Sequence, residues 1–201
     1  MIEVMGSEYI LLAECKGVQR MKVVLLTHTP DPERMVASAA KLCYSSATIE
    51  DLREKLTPEK TADFVDMLAS LGHESPTEHA SFTFGVEGVS RSLLAQLTRH
   101  RIASYSVQSQ RYVKESSFEY VLPPEIAAIP EAREEYLRAM EEDQAHYEHL
   151  TALLQKKHEE ELAAAGVEPK EAARRAQKMA IEDARFVLPN ACTTKLILTM
   201  N

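Results

Sequence analysis

Apolar residues fall in short runs along the first half of the sequence and again near residue 200, and these runs predict β-strands. Tyr9–Cys15 and Met21–His28 are rich in Leu, Ile and Val, as buried strands are. Ala80–Val89 alternates apolar with polar residues, which is the pattern of a half-buried strand. Ala191–Met200 returns to an apolar run.

Helix starts are indicated by polar residues that precede a proline, because such residues cap helices and proline fits the first turn. Asp31 and Thr57 each stand at such a position. The helix that follows Thr57 is expected to end at Gly72, since glycine favours the backbone conformation that closes a helix. Its buried side chains are predicted to be Phe64, Leu68 and Leu71.

Further helices are predicted after Ser90, whose side chain is placed to cap the first of them. That helix is expected to end near Arg99. Three of its leucines are predicted to face the core: Leu93, Leu94 and Leu97. The second half holds a long charged helix from about Glu131 to Ala165, closed by Gly166, and another from Pro169 to Arg185.

Together these elements predict an α+β fold with a mostly antiparallel central sheet flanked by helices, the long charged helix among them. The chain has 201 residues and is 45% hydrophobic, which suffices for one sizeable core. We expect residues 21–201 to form a single domain and residues 1–20 to be an N-terminal extension packed on it.

Charge and cysteine content narrow the class of protein. The net charge of −8 disfavours non-specific nucleic-acid binding, which needs a basic face. Three cysteines without a C-x-x-C pair do not form a disulfide framework, and this is typical of a reducing compartment. Neither a signal-peptide pattern nor an apolar run of membrane length occurs. These features predict a soluble cytoplasmic protein.

Residues 99–112 concentrate arginines, a histidine and hydroxyl side chains in an acidic protein. Between Gly88 and Lys114 there is no Asp or Glu. The same stretch has five positive charges: Arg91, Arg99, Arg101, Arg111 and Lys114. Forked guanidinium hydrogen bonds suit phosphate groups, so a pocket for phosphorylated ligands is predicted. Cations that stabilise a last helical turn, at about 0.3–1 kcal/mol each, are the alternative, which does not explain Arg111.

His73 and His79 raise the hypothesis of a metal site and of a metal-dependent hydrolase. Their spacing is six residues rather than the four of a helical zinc motif, and a catalytic zinc takes three protein ligands. We therefore predict no metal. The alternatives are a ligand-facing loop, or a loop in which Ser75 and Glu78 satisfy backbone donors, and Pro76 is expected to interrupt any helix here.

Ser109 has arginines but no base beside it in the sequence, so hydrogen bonding rather than nucleophilic attack is predicted for it. Arg185 is a polar residue that enters the apolar turn Phe-Val-Leu-Pro. The six glycines form no nucleotide-binding loop, so arginine and hydroxyl side chains would hold any phosphate.

The order Arg-His-Arg at residues 99–101, seven residues, Ser109 and then Arg111-Tyr112 resembles the signature of flavin-dependent thymidylate synthases. The match extends to further motifs at residues 72–79, 82–84 and 185–189. The resemblance covers residues from about 21 to 201, which it identifies as a catalytic domain.

This resemblance implies a homotetramer with active sites built from several subunits. It implies that FAD, NADPH and methylenetetrahydrofolate are used to methylate dUMP at C5, which gives dTMP, with the hydride coming from the reduced flavin. No cysteine nucleophile is required in this family.

The resemblance also assigns residues. The flavin residues are His73, Ser75, Glu78, Arg99, His100, Arg101, Ile102 and Asn201. The dUMP residues are Gln96, Arg99, Ser109, Gln110, Arg111 and Arg185. The residues given a catalytic role are Arg99, His73, Ser109 and Arg185.

Two departures from the family pattern bear on these expectations. Val107 stands where relatives often carry Glu or Gln, so we expect one polar contact to the nucleotide to be missing. The family continues past the position of Asn201 with a segment that completes both sites, and we expect this chain to lack it. A truncated, non-catalytic module that binds nucleotide or flavin is the alternative function.

Overall fold

The computed structural model of the chain describes residues 20–111 and 119–201. The strand predicted at Tyr9–Cys15, the N-terminal extension up to residue 19, and the positions of Tyr112 and Lys114 lie outside the described residues. The side chain of Arg53 is likewise not described.

The described strands form one four-stranded antiparallel sheet. Their bounds are β1 Lys22–His28, β2 Phe82–Ser90, β3 Ala103–Val107 and β4 Thr193–Met200. Their order in the sheet is β1-β2-β4-β3, so the last strand of the sequence lies between the second and the third. The predicted α+β class with an antiparallel sheet is therefore confirmed.

The α-helices of the described residues are α1 Pro32–Leu42, α2 Ile49–Glu54, α3 Pro58–Ser70, α4 Arg91–Leu97, α5 Pro124–Ala127, α6 Pro130–Ala164 and α7 Pro169–Ala184. Two 3₁₀ helices span Ser75–His79 and Arg185–Val187. Within the described ranges, no helix combines the length and the apolar character that a membrane crossing requires.

The described residues divide into two compact units, and we call the first the α1–α3 unit. It comprises Val23–Val86, Thr98–Ser106 and Leu196–Asn201. Its core joins α1, α3 and the start of the strand β2. The buried members of this cluster are Val36, Ala40, Leu68 and Ala80.

The second unit, which we call the α6–α7 unit, includes Glu87–Leu97 and the described part of Val107–Lys195. The helix α7 buries a row of alanines spaced by four residues, which brings one helix face close to its neighbour. These are Ala172, Ala176, Ala180 and Ala184. His158 of α6 also lies against α7, since its Nε2 is 3.3 Å from Oδ2 of Asp183.

Two predicted helix starts, at Ser90 and Thr57, are confirmed by their capping contacts. The Ser90 hydroxyl accepts a hydrogen bond from the Leu93 amide at 3.1 Å, and the Thr57 hydroxyl accepts one from the Lys60 amide at 3.4 Å. Asp31 is at the N-cap position of α1, as predicted, but with a left-handed φ of 46° and no side-chain capping bond.

The prediction that Leu71 and Leu93 are buried is wrong, because Leu71 is 62% exposed and Leu93 is 43% exposed. Periodicity shows which side of a helix is apolar, but it does not show that another element covers that side. The sequence patterns also missed α2 and β3. The strand β3 is only five residues long, Ala-Ser-Tyr-Ser-Val, so its alternation of apolar and polar residues is too brief to stand out.

We predict that Gly88→Ala destabilises the protein by about 3 kcal/mol or more. Gly88 has φ +69°, and a Cβ there would overlap the backbone carbonyl of Arg20. Gly166→Ala is the matched control, because Gly166 has φ +77° with nothing within 4 Å of its Cβ position. The control is expected to lose only about 1–2 kcal/mol, the cost of the left-handed backbone. Urea unfolding checks both, and equal losses would contradict the steric explanation.

The Tyr136 hydroxyl donates a 2.6 Å hydrogen bond to the Val121 carbonyl. Burial, with smaller contributions from Tyr120 and Cys192, raises the pKa of Tyr136 to about 12. Since the ordinary tyrosine pKa is about 10, the unfolded chain ionises first. The stability that this group provides is therefore complete below about pH 10 and is lost between pH 10 and about 12.

We expect Tyr136→Phe to lower the free energy of unfolding by about 1 kcal/mol at pH 8, where the hydrogen bond is intact. The gap between the two proteins should narrow as the pH rises above 10, because only the wild-type protein has this tyrosine to ionise. Urea unfolding at several pH values measures the gap. Tyr44→Phe, at a residue 90% exposed, is the control, and a gap for Tyr136→Phe that stays constant with pH would contradict the assignment.

Candidate functional site

The predicted flavin residues His73, Ser75 and Glu78 lie just after α3 in the α1–α3 unit. Gly72, with φ +71°, closes that helix as predicted, and the His73 amide donates to the Leu68 carbonyl. Ser75 and Glu78 belong to the first 3₁₀ helix, where a loop was expected. Pro76 fits because it lies in the first turn, where no backbone donor is needed.

Asn201 is brought to this 3₁₀ helix by the strand β4, which it follows. Its side-chain amide donates a hydrogen bond to the Glu78 carbonyl at 3.4 Å. Two residues before Asn201, the hydroxyl of Thr199 on β4 lies 2.9 Å from the hydroxyl of Thr83 on β2. Two of the predicted flavin residues, separated by more than a hundred positions in sequence, are therefore neighbours in the fold.

Arg99, His100, Arg101 and Ile102 form the turn between α4 and β3, also in the α1–α3 unit. The Tyr105 hydroxyl donates to the His100 carbonyl at 3.1 Å and so ties the turn to β3. Neither arginine forms an ion pair with a carboxylate of the residues that the structure describes. Ile102 is 80% exposed, so the turn offers both positive charge and an apolar surface.

The predicted dUMP residues Ser109, Gln110 and Arg111 follow β3 and belong to the α6–α7 unit. The segment begins at Gln108, whose amide donates to the Lys195 carbonyl of β4 at 3.0 Å. The Ser109 hydroxyl then accepts a hydrogen bond from the Arg111 amide at 3.2 Å, which curls the backbone into a tight turn. Ser109 thus has a hydrogen-bonding role in this structure.

Glu182, at the end of α7, contacts two of the predicted arginines. Its carboxylate oxygen Oε1 lies 3.7 Å from Nη1 of Arg111, and its backbone carbonyl accepts a 3.1 Å hydrogen bond from Nε of Arg185. Both side chains of the ion pair are about half exposed, so it contributes at most about 1 kcal/mol. An anionic ligand can therefore displace Glu182 from Arg111 at little cost. No sequence pattern marks Glu182, since a glutamate on a charged helix normally faces solvent.

Some of the predicted site residues share no hydrogen bond or ion pair with one another among the described residues. Gln96 lies exposed on α4. In the described part of the chain, no hydrogen bond or ion pair links the Arg99–Ile102 turn to the first 3₁₀ helix. The described residues also contain no group of three or more His, Cys, Asp or Glu placed to hold a metal, so His73 and His79 gain no third ligand.

Comparison with known proteins identifies the family. Residues 24–201 match the model of the family "Thymidylate synthase complementing protein". The flavin-dependent thymidylate synthase of Clostridium tetani is 54% identical over 181 residues, which cover 90% of this chain and 70% of the relative. That of Geobacter sulfurreducens is 47% identical over 183 residues, covering 90% and 68%. The chain belongs to the flavin-dependent thymidylate synthase family, which confirms the resemblance seen in the sequence.

A solved structure supports the fold independently. The UMP/dUMP methylase PolB from Streptomyces cacaoi, determined with 5-Br dUMP bound, superposes with a TM-score of 0.63. The match covers 90% of this chain and 73% of PolB at 22% sequence identity. Two sequences this different share the fold through similar packing of helices and strands.

We predict that Tyr105→Phe loosens the Arg99–Ile102 turn without unfolding the protein. The substitution removes the hydroxyl that binds the His100 carbonyl, a hydrogen bond worth about 1 kcal/mol. Amide hydrogen exchange in residues 99–102 should therefore become about fivefold faster. Exchange in α6 is the internal control and should not change. Unaltered exchange in the turn would contradict the role of this hydrogen bond.

Proposed function

We propose that this chain is a flavin-dependent thymidylate synthase that methylates dUMP at C5 to give dTMP, with methylenetetrahydrofolate as carbon donor and NADPH as reductant. The observation that carries the proposal is the 54% identity to a relative of that name, together with the Arg-His-Arg and Ser109-x-Arg111 motif. Residues 21–201 act as one catalytic domain in this proposal, in agreement with a family model that spans residues 24–201.

The α1–α3 unit has a donor set that fits FAD. Arg99 and Arg101 present guanidiniums without a carboxylate partner among the described residues, and such groups suit a pyrophosphate. The exposed Ile102 provides an apolar surface for an aromatic ring system. When bound, the flavin supplies the hydride that completes the methyl group. His73, Ser75, Glu78, His100 and Asn201 complete the proposed flavin residues.

The α6–α7 unit has side chains that fit a nucleoside monophosphate. Ser109 and Arg111 bind the phosphate, and the Arg111–Glu182 pair gives way to it because the pair is weak and exposed. Arg185 faces the uracil carbonyls, where a cation stabilises negative charge on the ring as C5 becomes nucleophilic. Gln96 and Gln110 supply hydrogen bonds, and the resemblance assigns Arg99 to the nucleotide as well as to the flavin.

We propose further that the protein works in the cytoplasm as a homotetramer with shared active sites. Support for assembly comes from β1, whose residues are all exposed in the single chain. Its apolar side chains Val23, Val24, Leu25 and Leu26 are 41–53% exposed. Among the described strands β1 lies at one end of the sheet, and exposed apolar side chains in such a strand favour association with another chain.

Two substitutions test the assignment of ligands to residues. Arg111→Ala should weaken dUMP binding at least tenfold, the order of loss for a charge-assisted hydrogen bond, and leave flavin affinity nearly intact. Arg99→Ala should weaken both ligands. Titration calorimetry with dUMP and retention of the flavin absorption band after gel filtration measure the two affinities. Arg174→Ala, at an exposed arginine paired with Glu171 on α7, is the control and should alter neither.

The visible spectrum of the flavin-loaded protein tests the proposal as a whole. Addition of dUMP should shift the flavin band, because the proposed reaction passes a hydride from the flavin to the nucleotide. Equal loss of flavin and dUMP in Arg111→Ala would contradict the division of residues. Binding of both ligands without formation of dTMP would favour the non-catalytic binding module instead.

A further inference from the structure

Arg91 is the first positively charged residue between Gly88 and Lys114, and it has no role in the proposed reaction. It is the first residue of α4, and its amide donates to the Cys192 carbonyl at 3.0 Å, which fixes its backbone beside the start of β4. Its side chain is half-buried, and its Nε is shielded from solvent. A guanidinium in such a position is costly unless it makes specific contacts.

The Arg91 side chain reaches the segment that precedes the proposed phosphate residues. Its Nη2 donates a hydrogen bond to the Gln108 carbonyl at 3.1 Å, across seventeen positions of sequence. The Gln108 amide is bound to the Lys195 carbonyl. Both backbone polar groups of Gln108 are therefore hydrogen-bonded, the amide to β4 and the carbonyl to Arg91. Ser109 directly follows Gln108 in the chain, so its position depends on these two hydrogen bonds.

We infer that Arg91 is a positioning residue for the Ser109–Gln110–Arg111 segment and thereby sets the affinity for the phosphate of dUMP. The inference rests on the proposed function for the identity of the ligand. Arg91 does not touch the nucleotide in this scheme. It holds the Gln108 carbonyl, so that Ser109 and Arg111 start from a fixed backbone and less ordering is required when the phosphate binds.

A hydrogen bond from a charged donor suits this task better than a neutral one. It is stronger, and it persists at a half-buried position where water competes poorly. A guanidinium also adds a positive charge beside a segment that has no Asp or Glu from Gly88 to Lys114. The same side chain thus orders the segment and favours an anion there.

The first measurement needs no ligand. In Arg91→Met, which keeps the length of the side chain but removes the charge and donors, amide exchange in residues 109–111 should become about tenfold faster. Arg91→Lys keeps the charge but loses the planar fork and should give an intermediate rate. Arg174→Met is the control for loss of one positive charge in the same unit and should leave the segment unchanged.

The second measurement uses dUMP with the flavin-loaded full chain. Arg91→Met should raise the dUMP dissociation constant about tenfold and leave flavin affinity within about twofold. The loss should shrink below about threefold when Ser109→Ala is already present, since a positioning effect acts through the residue it positions. Arg91→Lys should recover part of the affinity.

Unchanged exchange and unchanged dUMP affinity in Arg91→Met would overturn the inference, and so would parallel losses of flavin and dUMP, which indicate general destabilisation. If Arg91→Met fails to fold, Arg91→Lys is judged by the same two criteria. A wild-type protein that binds no dUMP would refute the proposed function, whereas the exchange rates would still decide whether Arg91 orders the segment.

Discussion

The hydrogen-bond register of β4 is the constraint on which the Ser109–Gln110–Arg111 segment, proposed to bind the nucleotide, depends. This strand lies between β2 and β3, and its carbonyl at Lys195 binds the Gln108 amide just before Ser109. The carbonyl of Cys192, next to the start of β4, binds the Arg91 amide. A shift of one residue in β4 would turn its buried side chains to the opposite face and misplace both contacts. The burial of alternate β4 side chains therefore fixes the register of the strand, and with it the positions of the Gln108 and Arg91 backbone contacts.

Capping residues and chemical motifs were predictable from the sequence because each acts locally. Ser90, Thr57 and Gly166 mark helix ends through contacts or backbone angles within a few residues. The Arg-His-Arg motif likewise consists of consecutive residues, and the family was identified from it. The roles of the individual site residues stay predictions, since they require bound ligands.

Features that depend on tertiary neighbours were not predictable. Leu71, which directly follows α3, and Leu93 on α4 continue apolar helix faces, yet no pattern along the chain shows that these side chains stay exposed. The strand β3 is five residues long and lies in the stretch interpreted as a ligand-binding segment, and its pairing with β4 joins residues far apart in the sequence. Glu182 and Arg91 resemble ordinary surface charges in sequence, and only their contacts with Arg111 and Gln108 connect them with the candidate site.

The central claim is that this chain methylates dUMP with a hydride delivered through a flavin. The most direct measurement is a reaction in D₂O with dUMP, methylenetetrahydrofolate, FAD and NADPH, followed by mass spectrometry of the nucleotide product. A hydride carried on reduced flavin exchanges with solvent before transfer. We therefore expect dTMP with deuterium in its methyl group and tetrahydrofolate as the spent carrier. Unlabelled dTMP accompanied by dihydrofolate, or no dTMP at all, would contradict the claim.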